Sequence, residues 1–177
     1  MREKAREYGK KRWIGERPEV INDRARIGDW EGDTIIGAER TKRILTHVER
    51  KTGYLIADFL PKVSAEIVAE KIAKNFKKLP REKRRSITYD NGTEFSAHET
   101  IEKKTKAIVY FANQYHSWER GTNENTNGLL RQFFPKKSSF ATVNQDDVDR
   151  ATKLLNRRPR KRLCYLTPKE MFHCTSF

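Results

Sequence analysis

Gly28-Asp29-Trp30-Glu31-Gly32-Asp33-Thr34-Ile35-Ile36 is the stretch on which the fold turns. It reads as a first strand. Side chains alternate along a strand, so Asp29, Glu31 and Asp33 share one face while Trp30, Gly32 and Thr34 share the other. Burying unpaired charge is expensive. A face carrying three acids therefore needs cations, a metal, or an edge position in water. Downstream, Arg43 to Glu49 and Tyr54 to Leu60 are β-branched and apolar and are joined through Lys51-Thr52-Gly53, so they form a hairpin that Pro61 ends. Ser64 to Leu79 is a helix. Ser64 caps it, Val63 and Val68 are spaced as a staple, and Val68, Ile72, Phe76 and Leu79 recur on one face. Ser86 to Tyr89 is a short strand running into the Asp90-Asn91-Gly92 turn. Ser96 and Glu99 read as the capping box of a short helix, and Ala107 to Phe111 as a fifth strand.

Further helices are expected from about Thr122 to Phe134, from Asn144 until Pro159, and from Thr167, where an N-cap, a Pro and Glu170 coincide. Three strands, helix, strand, helix, strand and helices make an α/β domain: a five-stranded mixed sheet with helices on both faces. The 177 residues suit one domain. Residues 1–16 read as a flexible basic arm and 17–177 as the folded core.

Lys and Arg number 38 against 24 acids, a surplus of +14. They come in blocks at 1–18, 71–85 and 150–169. Any one block could be a solvated face, but three in a small chain favour a polyanion, with nucleic acid first. No apolar run approaches the ~20 residues of a membrane span, and Met1 to Arg12 has no apolar centre of a secretory leader. Cys164 and Cys174 make no disulfide framework, so a reducing cytoplasm is expected. His47, His98, His116 and His173 lack a two-histidine ligand spacing, which argues against zinc.

Three acids stand in telling places. Asp33 is inside a strand. Asp90 follows a strand end, where open α/β sheets place ligands. Glu124 opens a helix on which Asn127, Gly128 and Arg131 share its face. Each has a bland reading: an edge strand in water, an Asx turn, or a favourable charge at a helix N-terminus. Gly128 costs ~1 kcal/mol against alanine in a helix interior and suits something close above it. Together the acids can converge to hold two hard divalent cations for phosphodiester chemistry. Glu31 shares the strand face and is the one rival to Asp33.

At these residues the chain resembles the catalytic core of transposases with an Asp-Asp-Glu triad and of retroviral-type integrases. Its motifs are most similar to those of the insertion sequence 30 family. The resemblance rests on Ile27-Gly-Asp-Trp-Glu-Gly-Asp-Thr34, Val48-Glu-Arg-Lys-Thr52, Tyr89-Asp-Asn-Gly-Thr-Glu-Phe95, Ser117-Trp-Glu-Arg-Gly-Thr-Asn-Glu-Asn-Thr-Asn-Gly-Leu-Leu-Arg-Gln-Phe-Phe-Pro-Lys136, Leu155-Asn-Arg-Arg-Pro-Arg-Lys161 and Thr167-Pro168. The spacing Trp30-x-x-Asp33, the run Asp90-Asn91-Gly92-x-Glu94-Phe95, and Gly121-x-x-Glu124 with its acid 34 residues after Asp90 are specific in combination.

The resemblance implies a ribonuclease H-like fold and selects Asp33, Asp90 and Glu124 as the catalytic, metal-binding triad for two Mg²⁺ or Mn²⁺ ions. It implies DNA cleavage followed by strand transfer, transposon ends and target DNA as partners, and a homo-oligomer. Asn91, Asn123, Asn127, Arg131, Lys136 and Lys137 are candidates to position DNA. The family's helix-turn-helix region has no counterpart here, so the chain is expected to be an excised or truncated core. A nuclease that cuts without joining and a non-catalytic nucleic-acid-binding module are the competing readings.

Overall fold

The computed structural model describes residues 11–113 and 121–174. The arm of residues 1–10 and His116 lie outside the described residues. Six strands form one sheet in the order β1-β6-β5-β2-β3-β4. They are β1 (Arg12–Trp13), β2 (Asp29–Ile36), β3 (Arg43–Glu49), β4 (Leu55–Leu60), β5 (Ser86–Tyr89) and β6 (Ile108–Phe111). The sequence gives five strands. The sixth is β1, two residues within the stretch read as an arm, which pairs parallel to β6 at the sheet edge. Glu102 anchors it, accepting from Arg12 at 2.7 Å. β2 is central, antiparallel to β3 and parallel to β5. The mixed sheet follows from the hairpin and from the helical crossovers that parallel neighbours require.

Six helices surround it: α1 (Glu19–Asn22), α2 (Ala65–Phe76), α3 (His98–Thr105), α4 (Gly121–Leu130), α5 (Gln145–Asn156) and α6 (Pro168–His173). Three N-caps are those read from sequence. Ser64 accepts from the Ile67 N–H, Asn144 from Asp147 and Thr167 from Glu170, the last two as full capping boxes. The Ser96–Glu99 box does not form. Thr93–Phe95 makes a tight helical turn that absorbs Ser96 as its C-cap, and α3 starts after Ala97 without a side-chain cap. α4 ends at Leu130, short of Phe134, because residues 131–134 tighten into turns.

Each face of the sheet has its own core. On one, Trp30, Tyr89, Phe95, Val109 and Phe111 meet Ile72 and Phe76 of α2, Ile101 of α3 and Phe172 of α6. On the other, Ile35, Ile44, Val48 and Leu55 meet Leu130, Phe134, Phe140, Val148 and Leu155. Trp30 and Phe95 are therefore core residues. Gly32 is required on the first face, since a Cβ there would stand 2.1 Å from the Tyr89 ring. Tyr89 in turn meets His47 Nε2 at 2.9 Å, and burial pushes that imidazole down to about 3. Cys164 and Cys174 are exposed free thiols. Among the described residues no helix is long and apolar enough to cross a membrane.

Candidate active site

The three acids of β2 face α4 and meet three different environments. Asp29 is buried and accepts from Arg26 Nε at 2.8 Å and Ser86 Oγ at 2.6 Å. Glu31 is fully buried. It pairs with the buried Arg50 guanidinium and accepts the Asn123 N–H at 2.9 Å. Its charge is thus used to neutralise Arg50 and to hold the first turn of α4, which removes it as the rival to Asp33. Asp33 is half-buried. Its Oδ1 accepts from the Thr34 N–H at 2.8 Å and its Oδ2 from Asn127 Nδ2 at 2.9 Å.

β2 and β5 run parallel with Asp29 opposite Ser86 and Glu31 opposite Thr88. The pairing ends there; Asp33 lies two residues beyond Glu31 on β2, and Asp90 two residues beyond Thr88, just past β5. Asp90 follows the last residue of β5, and its Oδ1 accepts from the Gly92 N–H at 3.0 Å. Gly92 is pressed from both sides: a Cβ would lie 2.6 Å from Glu94 Oε2 and 2.9 Å from Asp90 Oδ1. Glu94 closes its turn by accepting from Thr34 Oγ1 at 2.9 Å and from Arg43.

α4, which carries Glu124, is tied to β2 through Asn127. Its Asn127 bridges two strands, donating to Asp33 Oδ2 while Thr46 Oγ1 donates to Asn127 Oδ1 at 3.1 Å. Thr46 is the β3 residue opposite Asp33. Glu124 lies three residues before Asn127, one turn away, and is exposed. Among the described residues no three acidic, histidine or cysteine side chains stand close enough to grip a metal ion. Asp33, Asp90 and Glu124 thus form no such group in this structure.

The expected DNA-positioning residues divide. Lys136 and Lys137 are exposed, in the turn past β2 where Ser138 C=O accepts the Ala38 N–H. Asn91 bonds inward, Nδ2 to Ala112 C=O at 2.9 Å, and its Oδ1 accepts from Lys11. Arg131 donates to the carbonyls of Ile36, Phe134 and Pro135, pinning that turn to the end of β2. Asn123 is buried, and neither end of its amide has a partner among the described residues. Asn123 is thus turned inward on α4, away from the exposed face that carries Glu124. Sequence reasoning missed Arg50 and Thr46. The pairing of Thr46 with Asp33 follows from hairpin register, but nothing local to Arg50 marks it as the counter-ion of Glu31.

No family model matches the chain. It is 45% identical over 161 residues to the transposase for insertion sequence element IS4351 of Bacteroides fragilis, covering 90% of this chain and 48% of that protein. It is 45% identical over 164 residues to a probable transposase for insertion-like sequence element IS1161 of Streptococcus salivarius, covering 92% and 46%. It is 42% identical over 158 residues to transposase InsI for insertion sequence element IS30A of Escherichia coli, covering 89% and 41%. The chain spans just under half the length of the curated relatives it matches. Among solved structures it superposes on a chain of a simian T-cell lymphotropic virus intasome in complex with PP2A regulatory subunit B56 gamma, with a TM-score of 0.67 and 18% identity. That match covers 86% of this chain and 56% of the other, and it places the fold with the ribonuclease H-like integrase cores.

Proposed function

We propose, from the premise that this chain belongs with the insertion sequence 30 transposases, that it carries their DNA-cleaving and strand-transferring chemistry. Asp33, Asp90 and Glu124 are the acids that perform it. The observation that supports this reading is the Asn127 bond that ties α4, the helix of Glu124, to Asp33, on a strand that pairs parallel with the strand Asp90 follows. Two neighbouring acids of β2 are committed to Arg26 and Arg50. The donor set of the triad is all carboxylate oxygen, which fits hard Mg²⁺ or Mn²⁺.

When bound, such ions supply an activated nucleophile and charge stabilisation at a phosphorus atom. Asp33, Asp90 and Glu124 would hold such ions; the Thr34 N–H and Asn127 orient the Asp33 carboxylate, and the Glu31 bond to the Asn123 N–H fixes the first turn of α4, where Glu124 stands. Lys136 and Lys137 grip phosphates beside the end of β2. Water first attacks a phosphodiester phosphorus at an element end, forming a P–O bond as the bond to the 3′-oxygen breaks and leaves a 3′-hydroxyl. That hydroxyl then attacks a phosphorus in target DNA and displaces the target's 3′-oxygen, and no covalent enzyme intermediate forms.

The test is nicking of supercoiled plasmid in Mg²⁺ or Mn²⁺, and joining of a pre-cut duplex with a free 3′-hydroxyl. Asp33→Asn should abolish both. Undiminished nicking by that variant would refute the site assignment, and nicking without joining would identify a nuclease.

A further inference from the structure

A second basic surface lies at the opposite edge of the sheet from β1. Between α2 and α5, over the free edge of β4, runs a groove of about 600 Å³. Lys71, Lys74 and Lys78 line one wall and Lys153 and Arg157 the other, with Lys169 at one end. The lysines of α2 fall at helical spacing on one face, as do Lys153 and Arg157 on α5. Two acids face them. Asp58 lies 3.9 Å from Lys71, and Asp149 lies near enough to raise the Asp58 carboxyl further, beyond the larger effect of its burial. Among the described residues, Lys74, Lys78, Lys153, Arg157 and Lys169 form no ion pair, so the groove carries a surplus of cations.

The floor is not a vacant strand edge. The Leu55 N–H and C=O are both taken by the Asn156 side-chain amide at 2.8 Å. The Phe59 N–H is taken by Gln145 Oε1 at 2.8 Å, and Gln145 Nε2 donates to the Ala57 C=O at 3.3 Å. An incoming strand therefore finds those edge groups already paired, which disfavours β-augmentation. A second copy docked about a two-fold axis would place the same cations against themselves.

We infer that this groove docks the phosphate backbone of duplex DNA at a place separate from the acids. The inference rests on the reading of the chain as a DNA-cleaving core. Lys71 and Lys74 stand on α2 and Lys78 on the turn just past it, a ladder of roughly 10 Å at helical rise. At 3.4 Å per phosphate along one strand, that ladder faces about three phosphates. β4 lies two strands from β2, roughly 10 Å across the sheet. The same duplex, or its flank, can then touch the groove while another segment lies over Asp33.

The experiment is fluorescence anisotropy of a labelled duplex of mixed sequence, titrated across salt concentrations. The variants are Lys71→Gln/Lys74→Gln/Lys78→Gln and Lys153→Gln/Arg157→Gln, with folding checked by circular dichroism. Glutamine keeps helix propensity near that of lysine and arginine. Each variant should bind more weakly, and the slope of log affinity on log salt should fall by about 2.7 for the triple variant, at 0.9 per lost phosphate contact. Slopes unchanged in both variants overturn the inference. So does an unchanged slope with altered sedimentation, which would make the groove a contact between copies. Asp33→Asn should keep the parent slope while losing nicking, so failure of the groove and failure of the acid site read out separately.

Discussion

Replacing Arg50 with Met tests the scaffold on which the acids depend. The Arg50 side chain is 5% exposed and that of Glu31 is 0% exposed. Arg50 also donates to the Ile21 C=O at 3.3 Å and the Asn22 C=O at 3.4 Å, so it ties α1 to the end of β3. Removing one partner of a buried ion pair costs about 3–5 kcal/mol, because the other charge stays buried without its counter-ion. Adding Glu31→Gln removes that stranded charge while keeping an acceptor for the Asn123 N–H, and should return about 2–3 kcal/mol. The assay is urea unfolding at neutral pH. With a slope of roughly 2 kcal/mol per molar, Arg50→Met should lower the midpoint by about 2 M. The double variant should recover more than half of the loss, and because Glu31→Gln alone strands the Arg50 charge, a double-mutant cycle should give a coupling of at least about 3 kcal/mol. A cost below about 1 kcal/mol for Arg50→Met, or strict additivity, would refute the assignment of Glu31 to Arg50.

Two other outcomes are expected. The His47 imidazole, held near 3 by burial, stays neutral in the fold while its unfolded counterpart gains a proton below about 6.5. The unfolded state then binds the extra proton, so stability falls with acid at up to about 1.4 kcal/mol per pH unit between about 6.5 and about 3. Stability curves of His47→Gln should lose this component, and an acid limb as steep as that of the parent would count against it. A Cβ at Gly128 meets nothing within 4 Å. Gly128→Ala should therefore raise the melting temperature by roughly 2–4 °C through helix propensity, while weakening nicking if DNA lies on that face of α4. A lower melting temperature in scanning calorimetry would contradict the open helix surface.

Much of the fold was legible because its signals are local. Ser64, Asn144 and Thr167 cap as their neighbours require, and Ser86–Tyr89 is a strand with the bounds read from sequence. The alternation of β2 put its acids on one face before any partner was visible. The failures are non-local. β1 has two residues and no period to detect, and it exists because Glu102 and the β6 edge are there to receive it. The Ser96–Glu99 pattern lost to a preceding turn that Glu94 closes with Thr34 and Arg43, contacts made 60 and 51 residues away. The strand position of Asp33 was legible from alternation along β2. The division of work among Asp29, Glu31 and Asp33 was not, since it depends on which guanidinium the packing delivers.

That division also guards against a particular misfolding. A binary pattern of period two resists a one-residue slide of β2, which would turn the core face to water, but it is blind to a two-residue slide. Here such a slide would carry Asp33 into the apolar station of Ile35, or else bring Ile35 between Asn127 and Thr46. Arg50 and the Ile35 pocket therefore proofread the even slips that the hydrophobic code overlooks. A chain that reaches its compact state with its ion pairs made has, by the same event, set Asp33 against Asn127.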